Sequence, residues 1–396
     1  MRIALFHNLP SGGAKRAVYE WTRRLASDHF IDVYSLSSAD HSFCDIRPLV
    51  NNYYIFEFET NKLFKSPYGR LNQFQRWRDL VELTRIGKNI AQAINQKSYH
   101  VVFINTCQHT FIPSFIIYLN PHSVYYLHEP FGRSFVRKIK RPYIKSDKIA
   151  NTFNQIDPLI KLYNNRLTKI QKQSVTHTDL LLANSRFTKE SFEREFAGPV
   201  SVCHYGVDTD NFHPILTESK SLSVISVGEL TPRKGYDFII ESLSLIPIEN
   251  RPQLIIACNL IDPFEKEYIE SLANEMVVQL QILVKLNSKQ LNAVYNKSLF
   301  CVYAPVKEPF GLVPLEAMAC GLPVVGVREG GLQESILHEK TGILETRDPE
   351  RFARAVEYLL NNPEIAENFG KNGRDHVVSN WTWDQSTICL ETHLNR

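Results

Sequence analysis

Two glutamates flank a short loop in the second half of the chain. Glu308 and Glu316 are separated by seven residues, and Gly311 and Leu312 lie between them. The apolar run that ends at Ala304 is typical of a buried parallel strand, so both carboxylates are expected at its C-terminal end, where open α/β sheets bind ligands. Gly311 lets an anion approach closely, and backbone N–H groups in this loop are placed to bind it. A phosphate site between two carboxylates suits a nucleotide sugar, whose diphosphate lies between a ribose and a hexose.

A helix is expected to follow this loop. Pro314 suits its first position, and Glu316 would then lie in its first turn and complement the positive end of the helix dipole. Gly321 and Pro323 are expected to end the helix. Taken singly, each glutamate has a simpler interpretation, because Glu316 could serve only the dipole and Glu308 could be a solvated loop charge.

The full stretch from Glu308 to Val325 is more specific than either glutamate alone. It reads E-P-F-G-L-V-P-L-E-A-M-A-C-G-L-P-V-V. This resembles the signature of family 4 of the retaining glycosyltransferases, also called glycosyl transferases group 1. The resemblance implies an α/β protein with the GT-B fold, in which two Rossmann-like domains face each other across a cleft and a C-terminal helix crosses back to the N-terminal domain. It also implies that Phe310 belongs to the donor site.

A glycine pair follows the first predicted strand. Gly12 and Gly13 precede a predicted helix, a position at which backbone N–H groups bind anions. A bare glycine pair is usually only a turn. Its position resembles the glycine loop of the family, whose amides approach the donor phosphate, so both glycines are expected to bind the donor.

Two cations lie at the start of a helix in the second half. Arg233 and Lys234 oppose the helix dipole there unless an anion lies between them and the backbone amides. A solvated basic turn is the alternative interpretation. The family places an arginine and a lysine on the donor phosphates in this loop. Lys234 matches the lysine, whereas Glu229 occupies the arginine position, and Arg233 is the expected substitute.

His128 directly follows a predicted buried strand. A histidine at the C-terminal end of a strand, facing a cleft, can donate a hydrogen bond to a sugar hydroxyl or carry a proton. The alternative is a histidine bonded to its own loop. The family often has a histidine followed by an acidic residue near the donor sugar, so the resemblance implies a catalytic role for His128.

The implied reaction moves a hexose from a UDP- or GDP-linked sugar to a hydroxyl of a sugar or lipid-linked acceptor, with retention at the anomeric carbon. Glu308, His128 and Lys234 are expected to be catalytic. Glu316 would hold the ribose, and the backbone amides of Gly311 and Leu312 would help to stabilise the departing diphosphate. No D-x-D motif falls in a plausible loop, so neither a metal ion nor another cofactor is expected.

The domain prediction follows the order of the motifs. Residues 1–204, with a tail helix from about 380 to 396, are expected to form the acceptor-binding domain, and residues 205–379 the nucleotide-sugar-binding domain. The boundary is placed where the segment from Tyr205 to Phe212 resembles the interdomain segment of the family. The region from about 39 to 73 carries no clear periodic pattern and receives no element.

Composition limits the class of protein. A 396-residue chain with 43% hydrophobic and 22% charged residues has room for two cores, and a net charge of +3 is too small to favour a nucleic-acid partner. The seven cysteines are scattered and never form C-x-x-C, which argues against structural zinc or a disulfide framework and favours a reducing cytosol. A strand begins at the N-terminus, and no apolar run is long enough to span a membrane, so a cytoplasmic location is expected.

One basic segment could bring the protein to a membrane surface. The stretch from Arg133 to Lys148 mixes seven basic residues with aromatic and aliphatic ones. Such a patch could rest on an anionic membrane face or hold an anionic acceptor, although a solvated basic loop is the simpler interpretation. Peripheral contact with the inner membrane face is therefore a hypothesis.

Two other functions remain open from the sequence. A non-catalytic protein that binds nucleotide sugars or glycans could keep the same fold, and Glu229 at the family arginine position keeps this alternative alive. A nucleotide-sugar epimerase could also use the fold and would need no acceptor. A nicotinamide oxidoreductase is less favoured because neither half contains G-x-G-x-x-G.

Overall fold

The computed structural model describes residues 1–64, 71–131, 139–144, 157–196, 198–215 and 219–396. These residues form two parallel β-sheets, each wrapped by helices. The strands of the first sheet are β1 (Arg2–Asn8), β2 (Phe30–Leu36), β3 (Asn52–Phe56), β4 (Val101–Cys107), β5 (His122–Leu127), β6 (Leu180–Ala183) and β7 (Val200–Val202). Their order in the sheet is β3-β2-β1-β4-β5-β6-β7.

The second sheet repeats the same winding. Its strands are β8 (Ser223–Val227), β9 (Gln253–Cys258), β10 (Leu280–Val284), β11 (Phe300–Tyr303), β12 (Val324–Val327) and β13 (Gly342–Glu345), in the order β10-β9-β8-β11-β12-β13. In both sheets the strand order reverses beside the first strand, and ligands of open α/β sheets bind at this point, outside the carboxyl ends of the strands. The expected fold of two Rossmann-like units is confirmed.

Most helices connect successive strands of a sheet, and the last three follow the final strand β13. Those of the first half are α1 (Gly13–Leu25), α2 (Asn72–Asn95), α3 (Pro158–Thr176) and α4 (Arg186–Glu193). Those of the second half are α5 (Tyr236–Ser244), α6 (Pro263–Glu275), α7 (Ser288–Lys297), α8 (Leu312–Ala319), α9 (Leu332–Ser335), α10 (Pro349–Asn361), α11 (Pro363–Asn380) and α12 (Trp383–Leu394). Short 3₁₀ turns occupy Arg47–Leu49, Ser114–Tyr118 and Pro232–Lys234.

The first sheet is buried on both faces. Ile3 and Leu5 of β1 pack in a core cluster that continues into the second half of the chain, whereas Ala4 and Phe6 pack in a separate cluster that includes residues of α2. Successive side chains of a strand point to opposite faces, so a strand covered on both sides needs a continuous apolar run. This explains why the strands that carry the site could be located from sequence.

Helix α12 crosses back onto the first domain, as expected. The indole Nε1 of Trp21 on α1 donates to Ser386 Oγ at 2.9 Å, and the Trp21 and Trp383 rings meet edge to face. Arg24 Nε lies 2.5 Å from the Asp384 carboxylate. Burial of two tryptophans against each other makes this helix an integral part of the first domain's core.

The chain passes twice between the domains, and the two passages touch. The Val207 amide donates to the Trp381 carbonyl at 2.8 Å, and Val207 and Thr382 form an isolated parallel bridge. A Cβ on Gly206 would lie 2.4 Å from the Thr382 carbonyl carbon. Only glycine therefore permits the two passages to lie in direct contact.

Several elements were not predicted. Strand β3 lies in the region left unassigned, and neither β7 nor α3 was expected. Strand β7 ends at Val202 and β8 begins at Ser223, so the switch between sheets lies in this interval, and the boundary at 205 stays a prediction. Within the described ranges, none of the helices combines the length and apolarity that a bilayer crossing requires.

Candidate active site

Lys234 and Glu308 meet at the carboxyl edge of the second sheet. Lys234 ends the 3₁₀ turn between β8 and α5, and Glu308 lies in the loop between β11 and α8. The Lys234 Nζ lies 3.1 Å from one carboxylate oxygen of Glu308 and 3.3 Å from the other. Their side chains are only 18% and 16% exposed. The arrangement places a cation and a carboxylate side by side, in the loops that lead into α5 and α8.

The two loops are locked together by backbone contacts. Gly235 has φ 68°, and a Cβ there would lie 2.2 Å from the Ala304 carbonyl oxygen. The Val306 amide donates to the Arg233 carbonyl at 2.8 Å. Gly235 is therefore required both for its left-handed conformation and for the close approach of the loops.

Arg347 braces the loop from the far side. Its Nη1 donates to the Ala304 carbonyl at 3.0 Å, its Nη2 donates to the Pro305 carbonyl at 2.8 Å, and its Nε pairs with Glu329 at 2.8 Å. These carbonyls directly follow β11 and have no strand partner to satisfy them. Arg347 was missed from sequence because it lies beyond β13, far from the motif that it supports.

Gly330 and Gly331 fix the backbone of Glu308. The Gly331 amide donates to the Glu308 carbonyl at 2.9 Å. A Cβ on Gly330 would lie 2.3 Å from that same carbonyl oxygen, and one on Gly331 would lie 2.4 Å from the Pro309 carbonyl oxygen. The position of the Glu308 carboxylate therefore depends on a second loop that follows β12.

Helix α8 begins earlier than predicted. Gly311 caps it with φ 94°, and Leu312 is its first residue, so Pro314 is the third residue rather than the first. The first four N–H groups of a helix have no intrahelical partner, so proline is tolerated at the third position as well. The expectation that Glu316 lies in the first turn is also wrong, because no acidic residue is there.

The glycine loop of the first domain lies against α8. A Cβ on Gly13 would lie 3.3 Å from Leu312 Cδ1, whereas one on Gly12, where φ is 143°, would meet nothing within 4 Å. Gly13 starts α1, and Gly311 and Leu312 start α8. Two helix N-termini from different domains thus converge, and both carry positive partial charge. The structure brings these four predicted donor-binding residues together.

Glu316 is engaged by the opposite domain. Arg16 of α1 donates to its Oε1 at 2.6 Å, and the Tyr295 hydroxyl donates to its Oε2 at 3.1 Å. The Glu316 side chain is 5% exposed. Burial raises the pKa of this carboxyl, and the positive charge of Arg16 opposes the shift. The predicted contact with a ribose stays a prediction, and it requires Glu316 to give up at least one of these partners.

We expect Arg16→Met to lower the free energy of unfolding by about 1–3 kcal/mol at pH 7, because it leaves a buried carboxylate without its cation. Without Arg16 the pKa of Glu316 rises further above its unfolded value. The folded state of the variant then binds more protons than its unfolded state, so its free energy of unfolding falls as pH rises. The difference from wild type is therefore smaller at pH 4 than at pH 7. Urea unfolding at both pH values measures this. Arg23→Met is the control, because Arg23 lies on the same helix and its side chain is 44% exposed. If Arg16→Met loses the same stability at both pH values, the ion pair of Arg16 with Glu316 is not the cause.

His128 is buried behind the site. It is 3% exposed, its Nε2 lies 2.9 Å from Asn105 Oδ1, and its Nδ1 lies 2.5 Å from the Tyr205 hydroxyl. Because an amide oxygen only accepts, Nε2 carries the proton and Nδ1 accepts from Tyr205. Burial lowers the pKa of His128 to about 3, so the ring is neutral at physiological pH. Contact with the donor sugar stays a prediction, and the ring must exchange one partner to make it.

The remaining predicted donor residues divide into buried and exposed. Phe310 is 2% exposed and packs against Tyr205, with ring centroids 5.1 Å apart, so its side chain belongs to the interdomain core. Arg233 and Glu229 are exposed at the rim of the site. The Arg233 side chain is therefore accessible to a ligand, and the expectation that it takes the place of the family arginine stays a prediction.

Arg141 lies under the second domain and does not face solvent. Its guanidinium makes a bidentate pair with Glu265, at 2.8 Å for Nε–Oε2 and 2.8 Å for Nη2–Oε1, and its Nη1 lies 2.8 Å from Asp237. The Tyr143 hydroxyl donates to the same Glu265 at 2.5 Å. Arg141 and Glu265 are 6% and 0% exposed. The prediction that this residue belongs to a membrane-facing or solvated basic patch is wrong, because its charge is neutralised inside the protein.

Six other basic residues lie in the segment from Arg133 to Lys148. Lys140 is described and exposed. Those that lie outside the described residues are Arg133, Arg137, Lys138, Lys145 and Lys148. The hypothesis of membrane contact therefore rests on these six side chains alone.

Glu334 ties α9 to the first domain. Its carboxylate accepts from the backbone amides of Arg186 at 3.0 Å and Phe187 at 3.2 Å, at the N-terminus of α4, and from His204 at 2.9 Å. Although burial opposes the shift, the hydrogen bond from His204 and the two amides lower the pKa of Glu334. A carboxylate at a helix N-terminus is favourable, so this contact helps to hold the second domain against the first.

Two protein-family models match the chain. The model of Glycosyltransferase Family 4 covers residues 11–211, and the model of Glycosyl transferases group 1 covers residues 208–376. The two matches meet between β7 and β8, in the interval where the chain passes from one sheet to the other. Between them they include every residue of the site described above.

Two curated proteins are similar over part of the chain. A GDP-mannose-dependent alpha-(1-6)-phosphatidylinositol monomannoside mannosyltransferase of Mycolicibacterium smegmatis is 30% identical over 227 residues, which are 52% of this chain and 59% of that protein. An alpha-1,3/1,6-mannosyltransferase of Homo sapiens is 28% identical over 271 residues, which are 60% of this chain and 63% of that protein. The chain thus spans less than two thirds of the length of either relative.

A solved structure matches over the whole chain. Anabaena HepE, in complex with UDP and glucose, has a TM-score of 0.72 and 16% identity, and the match covers 100% of this chain and 99% of that chain. At this identity the likeness concerns the fold, and function has to be argued from the site.

Proposed function

Because this chain belongs to glycosyltransferase family 4, we propose that it transfers a hexose from a nucleoside-diphosphate sugar to an acceptor hydroxyl, with retention at the anomeric carbon. The observation that carries the proposal is the pairing of Lys234 and Glu308 beside the N-terminus of α8, with Nζ 3.1 Å from the carboxylate. A diphosphate bound at this N-terminus lies within reach of the ammonium group, and the hexose lies within reach of the carboxylate.

Lys234 would stabilise the charge that develops on the departing diphosphate. A preorganised cation and backbone amides are most effective where negative charge appears during the reaction, in a site from which water is excluded. Lys234 is held by Glu308 and rests near the Tyr303 ring, so its position is fixed before a ligand binds. The amides of Gly13, Gly311 and Leu312 are the other donors. We propose that this set replaces a metal ion, and full turnover in EDTA is the expected outcome.

Glu308 would bind the hexose and support the positive charge that develops at its anomeric carbon. Its backbone is fixed by Gly330 and Gly331, so the carboxylate is positioned by two rigid loops. Glu316 would bind the ribose after the Arg16 contact loosens, and closure of the domains would then bury the reacting groups. His128 would act from the first domain once its ring exchanges a partner.

The donor is proposed to be UDP- or GDP-linked. GDP-mannose is the first sugar to test, because the mycobacterial relative is named as GDP-mannose-dependent and the human relative as a mannosyltransferase. UDP-glucose is the second, because HepE was solved with UDP and glucose. The acceptor is proposed to be a sugar or a lipid-linked sugar. Peripheral contact with an anionic membrane remains a proposal for the basic residues other than Arg141.

The proposal is tested by Glu308→Gln. We expect turnover to fall by about 100-fold or more, because an amide lacks the charge that stabilises the transition state. Binding of nucleoside diphosphate, measured by calorimetry, is expected to stay within about threefold of wild type, because the amides and Lys234 remain. Release of free nucleoside diphosphate in the presence of acceptor measures turnover. Glu329→Gln, in the neighbouring loop and paired with Arg347, is the control for loop disturbance.

The same assay separates the alternatives. A binding protein without activity would release no nucleoside diphosphate with any acceptor, although it binds the donor. An epimerase would convert the donor sugar with no acceptor present. Unchanged turnover in Glu308→Gln contradicts the role given to this carboxylate.

A further inference from the structure

A lysine is buried at the start of α1, and no ion pair to it is found among the described residues. Lys15 is 1% exposed, and its Nζ lies 3.3 Å from the Nε2 atom of His7. Lys15 lies in the first turn of a 13-residue helix that contains no acid in that turn. Burial and the helix dipole both disfavour an ammonium group at this position. A side chain held where its charge costs stability is typical of a ligand site.

The lysine belongs to a polar cluster formed by α1, two strands and the loop after β2, all in the first domain. His7 lies near the end of β1 and is 0% exposed. Its Nε2 is 2.9 Å from the hydroxyl of Tyr53 on β3, and that hydroxyl is 3.1 Å from Nδ1 of His41. The His41 Nε2 lies 3.1 Å from the Leu36 carbonyl oxygen. We call Lys15, His7, Tyr53 and His41 the amine cluster.

Hydrogen-bond accounting shows that the amine cluster is incomplete. His41 Nε2 donates to a carbonyl, so its Nδ1 accepts from Tyr53. The Tyr53 hydroxyl has one proton, so its oxygen accepts from His7 Nε2–H at 2.9 Å, and His7 Nδ1 carries no proton. An ammonium group only donates, so the Lys15 Nζ, 3.3 Å from the same protonated Nε2, has no acceptor among the described residues. The cluster therefore leaves the Lys15 ammonium without an acceptor, which is the reverse of a self-satisfied core network.

The nearest acidic groups are occupied elsewhere. Asp40 accepts from the amides of Ser42 and Phe43 and from the Ser42 hydroxyl, and Asp45 pairs with Arg47 at 2.8 Å. Both carboxylates attract the Lys15 charge from a distance, and Arg47 repels it, yet burial still lowers the pKa of Lys15 to about 8. The charges of the loop after β2 therefore do not replace a direct anionic partner.

We propose that the amine cluster is a subsite for an anionic group, a phosphate or a carboxylate, on the acceptor substrate, with Lys15 as its charged donor. This rests on the proposed glycosyltransfer and adds the chemical class of the acceptor. This subsite is separate from the donor site, because neighbouring residues of α1 contact different domains. Gly13 faces Leu312 and Arg16 reaches Glu316, both in the second domain, whereas Lys15 reaches His7 on β1 of its own domain.

Lys15 is buried, so an anionic group needs a route to it. Asp40 and Cys44 of the loop after β2 are half-buried, and Ser42 of the same loop is exposed. Displacement of this loop opens the route that we assign to the acceptor. An oxyanion there would accept from the Lys15 ammonium, so the buried charge would gain the acceptor that it lacks.

The test compares Lys15→Met with wild type in the full-length chain. Without added anion, we expect the urea midpoint of Lys15→Met to equal or exceed that of wild type, because a buried charge has been removed. With the donor site saturated by nucleoside diphosphate, inorganic phosphate is expected to bind wild type about tenfold or more tightly than it binds Lys15→Met. Acetate in place of phosphate distinguishes a carboxylate site from a phosphate site. Lys289→Met, at an exposed position of α7, is the control.

The outcomes are distinct from those of the proposed function. Lys234→Met is expected to weaken nucleoside-diphosphate binding and, once the donor site is saturated at higher concentration, to keep the phosphate effect, whereas Lys15→Met is expected to do the reverse. The inference is overturned if Lys15→Met unfolds at lower urea than wild type or fails to fold, which marks a structural lysine. It is also overturned if neither phosphate nor acetate binds wild type more tightly than Lys15→Met. Glycosyltransfer then stands if nucleoside diphosphate still binds.

Discussion

Lys234→Met is expected to weaken the binding of nucleoside diphosphate by about 10- to 100-fold, which corresponds to the loss of a charge-assisted hydrogen bond. Methionine keeps the side chain out to the Cε position and removes only the ammonium group, so the packing beside Gly228, where a Cβ would lie 3.1 Å from Lys234 Cε, is retained. The loss is therefore electrostatic rather than a change of packing. Titration calorimetry with GDP and UDP measures it. Turnover is expected to fall further than binding, because negative charge on the diphosphate grows as the bond to the sugar breaks.

The control for this prediction is again Lys289→Met, which removes one positive charge from an exposed position of the same domain. It is expected to change affinity by less than about twofold at physiological ionic strength, because exposed charges are screened. Equal weakening by both variants would show that only the overall charge of the domain matters. In that case Lys234 would not be the phosphate ligand.

Glu265→Gln is expected to lower the free energy of unfolding by about 3 kcal/mol, because it leaves the buried guanidinium of Arg141 with only half of its neutralising charge. Arg141 is 2% exposed by side chain and reaches both Glu265 and Asp237. Urea unfolding followed by circular dichroism measures the loss. Glu267→Gln, exposed on the same helix, is the matched control and is expected to change stability by less than about 0.5 kcal/mol.

A double variant separates charge burial from packing in the same network. Arg141→Met with Glu265→Met removes both ions, and replacement of a buried pair by apolar residues is often neutral. We expect the double variant to be more stable than Glu265→Gln alone. If the two are equally unstable, the network stabilises the protein through its shape and hydrogen bonds, and the unpaired charge is not the cause.

Sequence located the parts of the site that are local. The apolar strands buried on both faces, the glycines and Lys234 all follow patterns of a few residues, and parallel strands bring their carboxyl ends to one edge. The meeting of Lys234 with Glu308, 74 residues apart, therefore follows from the fold class.

Sequence could not locate contacts that depend on how the two halves dock. Arg16 meets Glu316 across 300 residues, and Arg141 meets Glu265 across 124 residues, and neither pair shares a local pattern. The only signal for Arg16 was its place three residues after Gly13. His128 was predicted at the right strand end, but its burial depends on Tyr205, which arrives from the interdomain segment.

Strand β3 shows a different limit. It is an edge strand whose residues are all exposed or half-buried, without regular alternation, and its sequence N-Y-Y-I-F lies in a region rich in aromatic and polar residues. Edge strands have weak patterns because only one side of their backbone and one face are covered. Tyr53, which this strand supplies to the amine cluster, was therefore not recognised as part of any site.

The contact between Gly206 and Thr382 determines how the halves of the molecule can move. Both covalent links between the domains pass through this one place, and they are joined there by the Val207–Trp381 hydrogen bond. The two halves are therefore expected to swing about this point rather than to slide along each other. Displacement grows with distance from a pivot, so the separation of the halves is expected to change most on the side of the molecule opposite Gly206.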